Sequence, residues 1–340
     1  MRDGPQTAMA REIAEIPAIS ERLLARQDQV AAIAAAIERA RPRLVVLCGR
    51  GSSGHVGVHL RYLFEARYGV LVSAAAPSVV TTYLRLPEMR DALFVVISQS
   101  GRSPDIVMAT KVARSLGALT LALVNDAGSP AAEAAELVFP IDAGPERAVA
   151  ATKTVVLTMA AGAQLVATLT RDQDLGKALL RLPERLARAL ACDWSAWGES
   201  LFGAPAAFVA GRGYGLGSVR ELALKLTETL RLPALGYSTA ELRHGPRAAI
   251  TQRTPVLVLR QGDETAATAD DLVRDLRQAG DNVFSAGGPE ASLPWLDDDH
   301  PVSDPIAMLL PAYRAIEAAA RRAGFDPDNP PYLNKVTSTL

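Results

Sequence analysis

Cysteine is scarce in this chain of 340 residues, which contains only Cys48 and Cys192. The two lie far apart, and neither belongs to a spacing that zinc sites use. A fold held by disulfides is therefore not expected, and the sequence implies neither a metal ion nor an organic cofactor. So few thiols are typical of the reducing cytoplasm, which is the compartment we expect.

An excess of charge is also absent, because 36 lysines and arginines nearly balance 37 aspartates and glutamates. Proteins that bind nucleic acid or anionic membranes usually carry a basic excess, so neither partner is expected. The first residues contain no cationic segment followed by an apolar run, and no signal peptide is predicted.

No long hydrophobic run is present either. The most apolar helix candidate, 155–169, is rich in alanine and contains Gln164. Its length is too short for a bilayer, which predicts a core helix. Hydrophobic residues still make up 49% of the chain and charged residues 21%, a globular composition long enough for two domains.

Short apolar segments typical of buried strands alternate with segments of helix length. Strands are predicted at 44–48, 70–74, 93–97, 119–124, 137–141, 206–210, 255–259 and 282–285. Strands separated by helices imply parallel pairing through right-handed crossovers. The predicted fold class is therefore α/β, with two tandem doubly wound parallel sheets and flanking helices, and the repetition suggests an internal duplication.

Helical segments complete the predicted organisation. A helix is predicted over 10–40 with a break at Pro17, and another over 175–201 with an interruption at Pro183. The predicted parts are an N-terminal helical segment (1–40), a first domain (41–170), a helical connector (171–200), a second domain (201–325) and a C-terminal tail (326–340).

A loop rich in hydroxyl residues follows the strand at 93–97. It contains Ser98, Gln99, Ser100 and Ser103 and leads into a predicted helix. A strand that ends in glycine and serine before a helix directs backbone N–H groups, hydroxyls and the helix dipole at one point. The loop therefore either holds an anion, most simply a phosphate, or caps the helix with nothing bound.

A second loop of this kind follows the strand at 44–48. Residues 49–54 (GRGSSG) match the GxGxxG pattern of dinucleotide sites. No acidic residue ends the next strand to hold a ribose, and the crowded hydroxyls favour a single phosphate instead. Ligands of doubly wound sheets bind beyond the carboxyl ends of the strands, so two such loops at that edge favour phosphate binding over plain capping.

Side chains suited to proton transfer or amine chemistry occur at three places in the second half. Lys225 and Glu228 share one helix face, although most such pairs are surface ion pairs. His244 lies in a turn, and an isolated histidine is more often structural or exposed. Lys335 follows a proline-rich break, where a lysine is usually solvated unless the apolar residues around it anchor the tail.

Six ordered motifs together resemble the sugar isomerase (SIS) family, and specifically the isomerase half of glucosamine-6-phosphate synthase. They lie at 48–53 (CGRGSS), 98–103 (SQSGRS), 143–153 (AGPERAVAATK), 221–228 (ELALKLTE), 241–246 (ELRHGP) and 333–337 (LNKVT). The resemblance covers nearly all of 10–340. The glutaminase domain of the synthase is missing, so the chain is most similar to the stand-alone SIS-type glucosamine-6-phosphate deaminases.

The resemblance implies SIS domains in tandem and a set of site residues. Phosphate-binding positions are Ser53, Ser98, Gln99, Ser100 and Ser103, with Gly51, Ser52 and Ala150 as further substrate contacts. Glu228 matches the carboxylate that moves a proton between C1 and C2. His244 matches a ring-opening histidine contributed by the neighbouring subunit of a homodimer. Lys225 and Lys335 match active-site lysines, and the second forms a Schiff base in the synthase.

Two positions depart from the synthase pattern. They are Arg102 in the loop at 98–103, called the serine loop below, and Ala151, which replaces a serine. The activity implied is the conversion of an amino-sugar phosphate and water into fructose 6-phosphate and ammonia. An aldose–ketose phosphosugar isomerase and a fructosamine-6-phosphate deglycase remain alternatives. A non-catalytic sugar-phosphate regulator is a third, but 1–40 is too short and too weakly basic for a helix-turn-helix segment.

Overall fold

The computed structural model describes residues 6–335. The helices are α1 (Ala8–Leu24), α2 (Gln27–Ala40), α3 (Ser52–Leu63), α4 (Pro77–Thr81), α5 (Pro104–Ser115), α6 (Pro130–Ala134), α7 (Lys153–Thr170), α8 (Gln173–Ala189), α9 (Ser195–Ser200), α10 (Leu216–Leu230), α11 (Thr239–Arg243), α12 (Ala266–Gln278), α13 (Asp304–Ala307) and α14 (Leu309–Arg322). The strands are β1 (Leu44–Cys48), β2 (Leu71–Ala74), β3 (Ala92–Ser98), β4 (Leu119–Val124), β5 (Leu137–Pro140), β6 (Ala207–Gly211), β7 (Ala234–Ser238), β8 (Val256–Leu259) and β9 (Val283–Ala286).

Contacts divide the chain into two compact units, each with one parallel sheet. Unit A consists of Ile19–Pro145, Leu157–Leu179 and the end of the tail at 334–335, and it contains sheet A, formed by β1–β5. Unit B consists of 6–18, Glu146–Val156 and Leu180–Leu333, and it contains sheet B, formed by β6–β9. The units are interleaved in sequence, and the linear domain ranges given above remain predictions.

Sheet A has the strand order β2-β1-β3-β4-β5, with every neighbouring pair parallel. Its register pairs Cys48 with Val96 and Ser98 with Val124. β3 and β4 are buried along almost their whole length, which is why they occur in the sequence as continuous apolar runs. Small apolar side chains of α5 and α6 pack with these strands in one core.

Sheet B has the order β7-β6-β8-β9 and is also parallel throughout. β6 and β8 are fully buried, and apolar side chains of α11 and α12 complete their core. Two parallel sheets with flanking helices confirm the predicted α/β class. All eight predicted strands are present, each with ends within one residue of the prediction.

The ninth strand, β7, was not predicted. Its sequence Ala234-Leu235-Gly236-Tyr237-Ser238 lacks β-branched residues, and none of its residues is buried because it forms an edge of sheet B. Gly236 allows α10 to approach closely, since a Cβ there would lie 2.8 Å from the Cα of Arg220. Neither feature produces the apolar run by which buried strands are found.

The breaks expected at Pro17 and Pro183 are wrong. Both prolines lie inside helices, α1 and α8, and the chain instead leaves the helix at Ala25–Arg26 and after Ala189. Proline removes one hydrogen bond from a helix. Here buried side chains continue on both sides of each proline, such as Ile16 and Ile19 around Pro17, and their packing offsets that loss.

The apolar helix α7 is longer than predicted. It spans 18 residues and, judged by length and composition alone, could cross a bilayer. The expectation that it is too short is therefore wrong. Within the described chain, however, 89% of this helix is buried by the rest of the protein. The prediction of a core helix is therefore confirmed by packing.

A buried carboxylate joins α8 to the start of α13. Asp304 is fully buried; it accepts a hydrogen bond from Arg185 Nη2 at 2.8 Å and another from the Asp299 backbone N–H at 2.9 Å. Burial raises the pKa of Asp304 to about 6, although these donors and the Arg185 charge oppose the shift. Compared with the unfolded chain, the folded protein thus favours the protonated form of Asp304.

This shift predicts a pH dependence of stability. Because the pKa of Asp304 is higher in the folded than in the unfolded protein, its contribution is complete below about pH 4 and is lost as pH rises through about 6. Between pH 4 and 7, the unfolding free energy of the wild type should fall by on the order of 2–3 kcal/mol relative to that of the Asp304→Asn variant. Urea unfolding at several pH values measures this difference. The exposed Asp271→Asn variant should show no such divergence.

Candidate functional site

Two loops of unit A lie at one edge of sheet A. β1 and β3 are neighbours in sheet A. From β1 the chain passes first to β2 on one side and then to β3 on the other, so the switch point of the sheet lies between β1 and β3. The loop after β1 leads into α3, and the loop after β3 leads into α5. Ligands of doubly wound sheets bind at this point. The structure therefore places both hydroxyl-rich loops where a ligand is expected.

The predicted phosphate-binding residues surround the N-termini of α3 and α5. Ser52 and Ser53 lie in the first turn of α3, after Gly51. Ser103 is the N-cap residue of α5, but its side chain makes no capping hydrogen bond. The half-buried polar residues of the two loops are Ser52, Ser53, Ser98, Gln99, Ser100 and Ser103. Two helix N-termini with partly accessible hydroxyls form an environment that suits an anion.

The serine loop is held in shape by its own hydroxyls. Ser98 Oγ accepts a hydrogen bond from the Gly101 N–H at 3.0 Å, and Ser100 Oγ accepts one from the Arg102 N–H at 3.3 Å. Arg102, the residue that departs from the synthase pattern, is exposed and pairs with Asp126 at 3.0 Å. Its guanidinium is thus held at the surface by a carboxylate.

An ion pair connects the two loops. Arg50 of the first loop donates from Nε to Asp105 Oδ2 at 2.6 Å, and Nη2 lies 2.5 Å from the same oxygen. Asp105 is buried in the first turn of α5, whereas the Arg50 side chain is 52% exposed. The arginine therefore neutralises a carboxylate that would repel an anion at this helix end. Sequence reasoning missed this pair, because 55 residues separate its members.

Cys48 ends β1 directly before the first loop. Burial and the nearby Asp105 carboxylate raise the pKa of this thiol to about 12. Only the thiolate is a strong nucleophile, so Cys48 contributes packing and no covalent chemistry at neutral pH.

Helix α10 of unit B carries a cluster of three charged residues, Glu221, Lys225 and Glu228. Lys225 and Glu221 are fully buried, and Lys225 Nζ lies 3.4 Å from Glu221 Oε1. Lys225 Nζ also donates a hydrogen bond to Glu228 Oε2, and the Glu228 side chain is 20% exposed. The pair predicted from sequence is therefore not a surface ion pair. Glu221 was not singled out, although its i, i+4 spacing to Lys225 is the signal that identifies it.

The charge state of the lysine follows from its surroundings. Desolvation lowers the pKa of Lys225, but the charges of Glu221 and Glu228 and their hydrogen bonds outweigh it, so its pKa is raised overall. Lys225 is thus an ammonium ion at neutral pH. One cation beside two carboxylates leaves the cluster negative, and Glu228 is its only member that solvent reaches.

Glu228 lies on a helix that covers one face of sheet B, whereas His244 follows a helix that covers the other face. α10 connects two parallel strands, so it runs antiparallel to them. The middle of β7, at Gly236, contacts α10 at Arg220, and Glu228 lies about 12 Å further along the helix toward the start of β7. His244 follows α11 and is exposed. Leu242 of α11 packs with Tyr237 and α12, on the face opposite to the one that Gly236 turns toward α10. In the described part of unit B, Glu228 forms its ion pair with Lys225, and His244 takes no part in it.

Two further predicted residues lie in the segments that flank the sheets. Ala150 is buried ahead of α7, in a segment held by Glu146, which accepts hydrogen bonds from the Thr152 and Thr154 N–H groups at 3.1 Å each. Lys335 is half-buried at the end of the tail. Tyr332 is fully exposed, so it does not anchor the tail as expected. Val336 and Thr337 of the last motif lie outside the described residues.

Comparison with known proteins defines the family. A model of the SIS domain matches residues 39–168 and 200–285, more than half of the chain. The chain belongs to the SIS domain family. A curated relative of this SIS protein is the glutamine–fructose-6-phosphate aminotransferase [isomerizing] of Methanothermobacter thermautotrophicus, 31% identical over 348 residues that cover 98% of this chain and 58% of the relative. The chain thus spans about half to three-fifths of the length of the curated relatives it matches.

Solved structures agree with the fold of this SIS protein. A candidate phosphosugar isomerase from Silicibacter pomeroyi DSS-3 is 39% identical with a TM-score of 0.90, and the match covers 95% of this chain and all of that one. The glucosamine-6-phosphate deaminase of Thermotoga maritima has a TM-score of 0.80 at 20% identity, over 98% of this chain and all of that one. At that identity the likeness shows the fold alone.

Gly101 provides a test of the serine loop. Its φ is +63°, and a Cβ would lie 2.1 Å from Ser129 Oγ. Gly101→Ala should therefore destabilise unit A by more than the roughly 1 kcal/mol of the backbone conformation, and weaken binding of a phosphate ester at least about tenfold. Unfolding and calorimetric titration measure both effects. Gly69 also has a positive φ of 75°, but nothing lies within 4 Å of its Cβ position, so Gly69→Ala should cost only the backbone term and leave binding intact.

Proposed function

We propose that this SIS protein is an isomerising glucosamine-6-phosphate deaminase, which converts glucosamine 6-phosphate and water into fructose 6-phosphate and ammonia. The observation that carries the proposal is the buried Lys225 ammonium paired with the partly exposed Glu228 carboxylate. Proton transfer between neighbouring sugar carbons requires such a carboxylate, and the charge that develops on oxygen requires a fixed cation. Membership of the SIS family and the relatives named for phosphosugar chemistry support the substrate class.

The phosphate of the substrate is assigned to the loops of unit A. Ser53, Ser98, Gln99, Ser100 and Ser103 supply hydroxyls, an amide and the N-termini of α3 and α5. The Arg50–Asp105 pair removes the opposing carboxylate charge. Binding energy at this remote group orients the reacting end of the sugar before chemistry begins.

The reaction begins with ring opening, in which His244 protonates the ring oxygen and C1 becomes an aldehyde. Glu228 then removes the proton at C2 and returns it to C1, while Lys225 stabilises the negative charge on the C1 oxygen. The product is a ketimine at C2. Water adds to this carbon and ammonia leaves, so that nitrogen departs and the oxygen of water becomes the ketone of fructose 6-phosphate.

A further role in the reaction is proposed for Lys335, as a cation or as an amine that bonds the ketose. An amine role requires a pKa lowered by burial or by neighbouring cations. Reduction with borohydride in the presence of fructose 6-phosphate separates the two roles, because only a Schiff base becomes a stable adduct on this lysine.

An aldose–ketose phosphosugar isomerase is the second candidate function. The Glu228–Lys225 pair favours it equally, because proton transfer from C2 to C1 is common to both reactions. The two differ in the group at C2, an amine in one case and a hydroxyl in the other. Ammonia release is therefore the property that separates them.

A panel of sugar phosphates tests the proposed activity. Glucosamine 6-phosphate should release ammonia and fructose 6-phosphate in equal amounts, measured by coupled assays, and galactosamine 6-phosphate should be compared with it. Interconversion of aldose and ketose phosphates without any ammonia from amino sugars would assign the second function instead. Absence of turnover with every member would leave only a binding role.

Replacing the carboxylate tests its role. Glu228→Gln keeps the size of the side chain but cannot accept the C2 proton, so kcat should fall about 10²- to 10⁴-fold while calorimetric binding of fructose 6-phosphate is retained. Glu264→Gln is a matched control, because Glu264 is an exposed glutamate of the same unit. Normal turnover by Glu228→Gln would show that another group moves the proton.

The opposite placement of Glu228 and His244 supports a homodimer in which the histidine comes from the partner subunit. One copy holds them on elements that cover different faces of sheet B. A second copy can supply a His244 to the Glu228 of the first. The exposure of His244 fits a residue that completes a neighbour's site.

Mixing two inactive variants tests this arrangement. A dimer of one Glu228→Gln subunit and one His244→Ala subunit contains one site with both wild-type residues and one with neither. Mixed and re-equilibrated in equal amounts, the two proteins should therefore recover about a quarter of wild-type activity. If both residues acted from the same subunit, every site in the mixture would lack one of them, and no activity would return.

A further inference from the structure

Tyr313 is a fully buried tyrosine on α14, a helix that packs against α10. Its hydroxyl donates a hydrogen bond to Glu221 Oε1 at 3.3 Å. Burial and the Glu221 carboxylate raise the pKa of Tyr313 well above its ordinary value. The hydroxyl therefore stays protonated and remains a hydrogen-bond donor throughout the neutral range.

The oxygen that accepts this hydrogen bond also faces the lysine. Lys225 Nζ lies 3.4 Å from Glu221 Oε1, and its other carboxylate partner is Glu228. Glu221 is fully buried, so water cannot replace a lost donor without entering the core. The position of the ammonium between Glu221 and Glu228 thus depends on what else Glu221 binds.

We propose that Tyr313 is a positioning residue for the Lys225–Glu228 pair: by donating to Glu221 it satisfies part of that carboxylate and leaves the ammonium directed at Glu228. Tyr313 acts on the pair through its hydrogen bond to Glu221. The inference rests on the proposed function for its consequence in catalysis, whereas the contact itself belongs to the structure.

The consequence of losing the hydroxyl follows from electrostatics. Without it, Glu221 Oε1 has lost one of its donors and attracts the Lys225 ammonium more strongly, which draws the ammonium away from Glu228. Glu228 then loses part of its stabilising charge, and its pKa should rise. A base with a raised pKa becomes protonated at higher pH, which moves the acidic limb of the pH–rate profile upward.

Three carboxylates act on the Tyr313 hydroxyl through their charge. Besides Glu221, the carboxylates of Glu146 and Glu228 raise the pKa of Tyr313 by their charge. Glu146 is held by its own donors, the N–H groups of Thr152 and Thr154 and the Thr154 hydroxyl. The hydroxyl of Tyr313 donates to Glu221, which makes Glu221 the group that the substitution affects first.

Tyr313→Phe removes the hydroxyl and keeps the ring. We expect kcat to fall about three- to tenfold, KM to change less than about twofold, and the acidic limb of kcat/KM to move up by roughly half a pH unit. Tyr237→Phe is the matched control, because this half-buried tyrosine of the same unit stacks on Phe208 outside the charged cluster. Its profile should coincide with that of the wild type.

A second variant should shift the acidic limb of the pH–rate profile in the opposite direction, and it keeps the inference testable if Tyr313→Phe does not fold. Glu221→Gln removes the competing carboxylate, so Lys225 keeps its whole charge for Glu228 and the acidic limb should move to lower pH. In this variant only one carboxylate opposes the effect of burial on Lys225, so the pKa of the lysine should fall. The alkaline limb should therefore move to lower pH as well. Opposite shifts from the two variants are a signature that a general loss of stability does not produce.

A readout that does not depend on turnover separates this inference from the proposed function. The pKa of Glu228 can be followed by NMR in protein labelled with ¹³C at the glutamate carboxyls, with the Glu228→Gln spectrum for assignment. A higher pKa in Tyr313→Phe supports the inference even if no sugar phosphate is turned over. An unchanged pKa, or an equal shift in Tyr237→Phe, overturns it whatever the activity of the wild type.

Discussion

The ammonium of Lys225, buried between the carboxylates of Glu221 and Glu228, is the constraint on which unit B depends. Burying an unpaired lysine would cost several kcal/mol, so this charge is tolerated only because two carboxylates are held against it. Their i, i+4 and i, i+3 spacing on α10 makes the arrangement a property of one helix. A cluster fixed in this way is preorganised, which is the property that electrostatic catalysis requires.

The proposed phosphate site of unit A poses the reverse problem, since an anion requires surroundings that attract negative charge. The N-termini of α3 and α5 provide partial positive charge, but Asp105 is buried in the first turn of α5. Arg50 cancels that carboxylate from the neighbouring loop. Under the proposed function, a balanced site thus serves the anion and a negative, cation-centred cluster serves proton transfer, and the ion pairs of each lie within one unit.

Most of the fold was predictable, because parallel strands buried on both faces appear as apolar runs and β3, β4, β6 and β8 are of this kind. β7 was missed because an edge strand needs no such run, and Pro17 misled because packing outweighs one lost hydrogen bond. The loops at the switch point could be paired from topology alone. The Tyr313–Glu221 contact could not, since it joins residues 92 positions apart without any local pattern.

The two sheets share a strand order of the same type but differ at the carboxyl ends of their strands. In sheet B the side chain of Gln261 lies at the carboxyl ends of β6 and β8, where its Nε2 donates to the Arg212 carbonyl at 2.6 Å. Its oxygen would also lie 2.9 Å from a Cβ at Gly215, so little space remains there. Glu228, the carboxylate to which we assign proton transfer, lies instead toward the amino ends of the strands, near the end of α10. Under the proposed function, two similar frameworks therefore carry different sites, and the rule that places ligands at the carboxyl edge fits the loops of unit A but not Glu228.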